Sequence, residues 1–277
     1  MPKPRLTTAL LAATLAFFMS QTGFGRDARV VVDGQAYHLD ISGSSGPSIV
    51  FEAGLGNDST TWRSIAGPVG AFARIVLYDR AGLGQSAAVA PSNVPITAAE
   101  AARNLHALLS AAGIRPPYLL VGHSLGGLYM QMFARTYPVE VSGVVLVDSA
   151  AANAPAELKT LARLEPGTVA YREELGIAES NRQIAAAGPF PAVPLTVIAA
   201  TDHGPHFRKW EPTLMQLQQQ LATLSPRGRL SASRDRGDPA DGEGDDHPVR
   251  TAPALQVFPA AMPGGGTARS GSTARTT

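Results

Sequence analysis

Ser124 stands in the string Gly122-His123-Ser124-Leu125-Gly126-Gly127, bracketed by residues without side chains. A serine hydroxyl is a poor nucleophile at neutral pH and becomes an effective one when a neighbouring base accepts its proton. The reaction such a serine performs is acyl transfer, in which it attacks a carbonyl carbon while preorganised donors hold the tetrahedral oxyanion. Gly-x-Ser-x-Gly alone is a common string in a chain with 28 glycines. Its position gives it meaning. The apolar run 118–121 (YLLV) precedes it, and a helical pattern over 125–137, stopped by Pro138, follows it. A tight strand-to-helix turn there strains the serine backbone and leaves the hydroxyl clear at the carboxyl edge of a sheet. The amino terminus of the helix favours developing negative charge at the same place.

Holding such a turn requires a buried sheet, and the chain alternates the signals for one. Short apolar runs at 48–51 (SIVF), 75–78 (IVLY), 118–121, 144–147 (VVLV) and 195–199 (LTVIA) suit strands covered on both faces of a parallel sheet. Runs 29–32 and 36–41 flank Asp33-Gly34, a strong hairpin signal. Between the strands, Thr97 and Glu100 form a capping-box pattern ahead of Leu105, Leu108 and Leu109, with Gly113 as a stop. Leu214, Leu217, Leu221 and Leu224 mark one face of a helix over 210–224. The alternation predicts an α/β fold with a doubly wound, mostly parallel sheet.

Four ordered motifs over roughly residues 30–230 resemble the α/β-hydrolase superfamily, the serine esterases, lipases and their relatives. They are FEAGLG (51–56), YDRAGLGQS (78–86), GHSLGG (122–127), and the strand ends VVLVDSA (144–150) and PLTVIAATD (194–202). The resemblance implies Ser124 as nucleophile and the backbone amides of Leu125 and Leu55 as the oxyanion hole. It implies an acid at one of two strand ends. The usual place, in the chain order serine, acid, histidine, points to Asp202; the preceding strand offers Asp148. His123 is expected to pack rather than react. Asp79 and Arg80 are expected to brace the loop before Gly82-Leu83-Gly84. Segment 149–193, with helical patches at 156–164 and 169–187, sits where the family inserts a small helical cap. The run Asp202-His203-Gly204-Pro205-His206 reads as a loop, not a metal site, and no metal or organic cofactor is implied.

The base is the departure from the family pattern. Of the 6 histidines, His38 and His106 come too early, His123 lies in the turn, and His203 and His206 crowd the acid loop. His247 alone follows in the required order. The family's last strand and histidine should come soon after Leu230, yet 231–250 (SASRDRGDPADGEGDDHPVR) has the composition of a solvated segment, and Asp238 stands nearer the expected place. The tail 231–277 is expected to be largely disordered. It either carries His247 to Ser124 across an insertion, or is degenerate or read from a shifted frame, or belongs to a protein that does not catalyse. The reading adopted is a serine hydrolase acting on a small-molecule carboxylic ester. The alternative is an impaired or non-catalytic binding protein of the same fold.

Composition sets the outer bounds. Lys+Arg 23 against Asp+Glu 22 gives a net charge of +1, no field for steering toward nucleic acid. With Cys 0 there is no disulfide and no cysteine nucleophile. Lys3 and Arg5, the apolar run 6–19, and Gly23 and Gly25 form the pattern of a secretory signal over 1–25, with an uncleaved anchor as its rival. Either predicts an exported domain.

Overall fold

The apolar runs become the middle of an eight-stranded sheet. The computed structural model describes residues 26–43, 46–155, 164–205 and 207–233. The segment read as a signal (1–25), residues 156–163 of the first cap patch (156–164) and the tail from 234 onward lie outside the described residues. The strands are β1 (Arg26–Val32), β2 (Gln35–Gly43), β3 (Ser48–Glu52), β4 (Arg74–Tyr78), β5 (Tyr118–His123), β6 (Val141–Val147), β7 (Leu195–Ala200) and β8 (Gly228–Ser233). Their order is β1-β2-β4-β3-β5-β6-β7-β8. β1 and β2, and β2 and β4, run antiparallel; every other neighbouring pair is parallel. The carboxyl ends of β3 to β8 therefore share one edge, where parallel sheets gather ligands and chemistry.

The period of two along the strands sorts their side chains between two cores. Val50, Val76, Leu120, Leu146 and Val197 pack with Leu108, Phe133 and Leu217. Ile49, Phe51, Ile75, Leu119 and Val121 pack with Trp62, Ile65 and Val69. The first set meets helices α2 (Ala98–Ala111), α3 (Leu125–Thr136) and α5 (Glu211–Ala222); the second meets α1 (Arg63–Gly70). Helix α1 carries Pro68 inside a Gly-Pro-rich sequence and gives no periodic signal, so tertiary burial of Ile65 and Val69 decides it. The Asp33-Gly34 turn closes the β1–β2 hairpin with φ of 48° and 82°, the positive pair a two-residue turn needs.

Helix α4 (Val169–Ala186), between β6 and β7, is fastened to α2 end-on. Thr97 caps α2 by accepting from the Glu100 amide. The Ala98 and Ala99 amides of that first turn donate to Ser180 Oγ (2.8 Å) and Gln183 Oε1 (3.0 Å) of α4. Side chains 82 and 84 residues away thus supply the partners that a helix start lacks.

One boundary moves. The polar stretch after Leu230 was expected to leave the sheet, but β8 continues to Ser233, pairing in parallel register down to Ala200–Ser233. Backbone pairing with β7 makes this strand. As the last strand of the sheet among the described residues it is only partly buried and does without the apolar side chains an interior strand requires.

Leu120, fully buried at the centre of β5, should cost about 2–5 kcal/mol on truncation to alanine. Val139→Ala, at 92% exposure, should change stability by less than about 0.5 kcal/mol. Urea denaturation of the two variants checks the contrast.

Candidate functional site

Strand β5 ends at His123 and α3 begins at Leu125, so Ser124 is the whole connection. Its φ of 49° and ψ of −120° are a conformation L-residues rarely hold. Three backbone bonds hold it there. Ser124 N donates to Val147 O (3.1 Å), and Ser124 O accepts from Gly127 N (3.0 Å) and Ala150 N (2.9 Å). The glycines make the turn possible by close approach. A Cβ at Gly122 would stand 2.6 Å from the Gly126 carbonyl oxygen, and one at Gly126 would stand 2.4 Å from that of Ala53. Both distances are impossible without moving α3 off the sheet.

Leu125, as first residue of α3, has an amide the helix leaves unpaired. Among the described residues no backbone acceptor takes the Leu55 amide either. Segment 53–57, which carries Leu55, is held from behind by a buried guanidinium. Arg80 donates from Nη1 to Ala53 O (2.9 Å) and from Nη2 to Gly54 O (2.6 Å) and Asn57 O (3.3 Å). Its charge is met by Glu52 (2.6 Å) and by Glu173 of α4 (2.7 Å). Glu173 Oε2 also accepts from the Gly56 amide at 2.8 Å. Tyr78 donates its hydroxyl to Glu52, and the Arg80 guanidinium lies 5.9 Å from the Tyr129 ring centre. Burial pushes the Glu52 carboxyl above its ordinary value, with Arg80 and Tyr78 pulling it back.

Arg80 therefore corrects an expectation. Its side chain braces segment 53–57, and only its carbonyl braces the expected loop, accepting from the Leu83 amide at 3.0 Å. Asp79 does brace that loop, accepting from the Gln85 amide (2.8 Å) and the Ser59 amide (2.9 Å) and meeting His38 Nδ1 at 3.0 Å. Burial alone would raise its pKa, but these hydrogen bonds and His38 hold it below the ordinary carboxylate value.

The two candidate acids have different surroundings. Asp202 is exposed, and its Oδ1 closes a local turn by accepting from the Gly204 amide at 2.9 Å. Asp148 follows β6 with φ of 42°, its amide bonded to Ile198 O at 2.7 Å. Because Val147 O and Ala150 N both bond Ser124, Asp148 is held beside the serine turn. Its carboxylate meets His203 Nε2 at 3.0 and 3.1 Å. Glu211, at the start of α5, meets the other ring nitrogen at 2.8 Å and accepts from the His203 amide at 2.7 Å. Burial would lower the His203 pKa, but Asp148 and Glu211 outweigh it and raise it to about 9. At neutral pH the ring is thus an imidazolium donating from both nitrogens, and has no lone pair to take a proton from Ser124.

His123 packs edge-on to Trp62, ring centres 6.4 Å apart, with burial holding its pKa below the ordinary value against the pull of Asp148. Among the described residues the Ser124 hydroxyl makes no hydrogen bond to a histidine ring. His247, His206 and Asp238 lie outside the described residues. The Asp148–His203–Glu211 and Glu52–Arg80–Glu173 groups escaped sequence reasoning. The one available signal was a carboxylate, Glu52, ending an otherwise apolar strand.

Residues 47–186 match the family model described as alpha/beta hydrolase fold. "Uncharacterized protein YqjL" of Bacillus subtilis is 40% identical over 120 residues, 43% of this chain and 46% of that protein. "Putative carbamate hydrolase RutD" of Yersinia enterocolitica is 34% identical over 115 residues, 40% of either chain. The chain thus spans less than half the length of these curated relatives. An esterase from Thermogutta terrifontis superposes with a TM-score of 0.60 at 17% identity, over 76% of this chain and 90% of that one. The enol-lactonase from Burkholderia xenovorans LB400 does so with 0.57 at 21%, over 74% and 91%. At those identities the likeness is one of fold.

The raised pKa of His203 makes stability depend on pH in a stated direction. Its contribution is complete below the ordinary value of 6.5 and is lost as pH rises toward about 9. Allowing for solvent at Asp148 and Glu211, each about a quarter exposed, the loss should be about 2 kcal/mol. Urea midpoints of the native protein should fall between pH 6.5 and 9.5, and His203→Gln should remove that slope.

Proposed function

The chain belongs to the α/β-hydrolase fold family, and on that premise we propose that it is a serine hydrolase that cleaves a small carboxylic ester by two-step acyl transfer to water. The observation that carries this reading is the positive-φ serine between β5 and α3. Ser124 Oγ attacks the ester carbonyl, and the alcohol leaves as an acyl-serine forms. Water then attacks the acyl-serine and returns the free serine with a carboxylic acid. The Leu55 and Leu125 amides receive the oxyanion in both steps, an interaction whose loss typically costs about 3 kcal/mol of transition-state stabilisation.

His247 serves as base. It lies fourteen residues beyond Ser233, a tether of up to about 45 Å, and β8 ends at the same sheet edge as β5. Its orienting acid is Asp148 or Asp202. Supporting Asp148 is its place beside the serine turn and its readiness to bind an imidazole, as it binds His203. Supporting Asp202 is the chain order of the family. The pattern at 1–25 supports export of the enzyme.

One observation favours a second reading. His203 already occupies Asp148, so a protein without a competent base would keep the fold and bind without turning over.

A fluorophosphonate probe should label native protein and not Ser124→Ala. His247→Ala should reduce hydrolysis of p-nitrophenyl acetate at least about 10³-fold, and Asp148→Asn by a similar factor, with Asp202→Asn near native. Folded native protein that takes no label favours the binding reading. Unchanged turnover in His247→Ala removes that residue, and a loss confined to Asp202→Asn moves the acid there.

A further inference from the structure

The oxyanion-holding amide of Leu55 belongs to the same peptide unit as the Gly54 carbonyl. In a trans peptide the N–H and C=O point in opposite directions. A group that fixes the Gly54 oxygen therefore fixes the direction of the Leu55 N–H. Two donors meet that oxygen: the Asn57 amide, which closes the turn at 3.2 Å, and Arg80, whose Nη2 donates to it at 2.6 Å and is the shorter and charged of the two. The next peptide unit is fixed as well. Its N–H, that of Gly56, donates to Glu173 Oε2 at 2.8 Å. Leu55 is thus held on both sides, by a guanidinium on one peptide and by the carboxylate that pairs with that guanidinium on the other. A cation on the carbonyl also polarises the peptide and makes its N–H the stronger donor.

Glu173 comes from α4, in the insertion between β6 and β7. It is fully buried. The helix approaches closely at the same point, since a Cβ at Gly56 would stand 2.9 Å from Ala170 Cβ. The same helix caps α2 through Ser180 and Gln183. The docked insertion is therefore part of what sets the amide.

We propose that Arg80 and Glu173 are positioning residues for the Leu55 amide, so that seating α4 and forming the oxyanion hole are one event. The inference rests on the reading of Leu55 as an oxyanion donor. Neither residue touches substrate; both act through the peptide units around Leu55.

The test compares native full-length protein with Glu173→Gln, which keeps the size and removes the charge, and with Glu179→Gln. Glu179 is a half-exposed residue of the same helix, paired to Arg182 and at 3.4 Å from Gln183 Nε2 but with no contact to segment 53–57 among the described residues, and serves as control. In Glu173→Gln the Gly56 amide should exchange with deuterium at least about tenfold faster, and the Leu55 amide resonance should shift or broaden. The rate of fluorophosphonate labelling and kcat should fall together by about 10–100-fold with KM within about twofold, because the lost interaction belongs to the transition state. Glu179→Gln should match native protein throughout. If Glu173→Gln melts below the assay temperature, Arg80→Lys, which keeps the charge and loses the fork, gives the same readings. Native amide behaviour and native labelling in a folded variant overturn the proposal. If native protein itself takes no label, the hydrolase reading fails, and the Leu55 and Gly56 amides still decide this one.

Discussion

The approach of α3 to the sheet, with no side chain between them, is the constraint on which the rest of the molecule depends. Gly122 and Gly126 let the helix rest against the backbone of β5 and against the carbonyls that end β3. That contact sets the length of the connection to a single residue and forces Ser124 out of ordinary backbone space. Strain of this kind costs on the order of 1–3 kcal/mol and survives only where surrounding structure over-determines it. The surroundings here are β6 and the turn that follows it, whose Val147 and Ala150 backbone groups bond both sides of Ser124, and two apolar cores that pin β5 from above and below.

Around that contact the protein spends charge sparingly and far from water. One guanidinium serves as the hub beneath segment 53–57, and its two carboxylates come from a strand end and from a helix more than a hundred residues later. Burying such a group is a poor way to gain stability, since desolvation cancels much of the attraction. It is an effective way to fix direction, because five N–H donors in a rigid fork leave few alternatives for the carbonyls they meet. A second charged group, the half-buried His203 between Asp148 and Glu211, does the equivalent work at the start of α5 and ties the β7–α5 loop back to the end of β6.

The features legible in the sequence were those that local chemistry dictates. The apolar runs, the Asp-Gly hairpin, the Thr97 cap and the glycine-bracketed serine each reveal themselves within ten residues. Helix α1 was not legible, because its proline and glycines obey no period and only burial of Ile65 and Val69 sustains it. The last residues of β8 were not legible, because they are held to β7 by backbone pairing that side chains do not announce. The pairs around the site were hidden for another reason. Arg80 meets Glu173 across 93 positions and Asp148 meets His203 across 55. A glutamate in a helix reads as solvated unless its distant partner is already known. The same rule explains Arg80, whose neighbours in sequence suggested a different loop.

The buried cluster also constrains how this protein can change over generations. Glu52, Arg80 and Glu173 are mutually compensating, so replacing any one strands the charge of another in a medium that tolerates it badly. Residues that share a network in this way do not contribute independently. Divergence at the three positions should therefore proceed by joint replacement, each step opening or closing the next, while exposed positions such as Val139 drift alone. Lineages of this fold that inherit the cluster inherit it as a single character, and a chain that has lost one member should be found to have remade the other two.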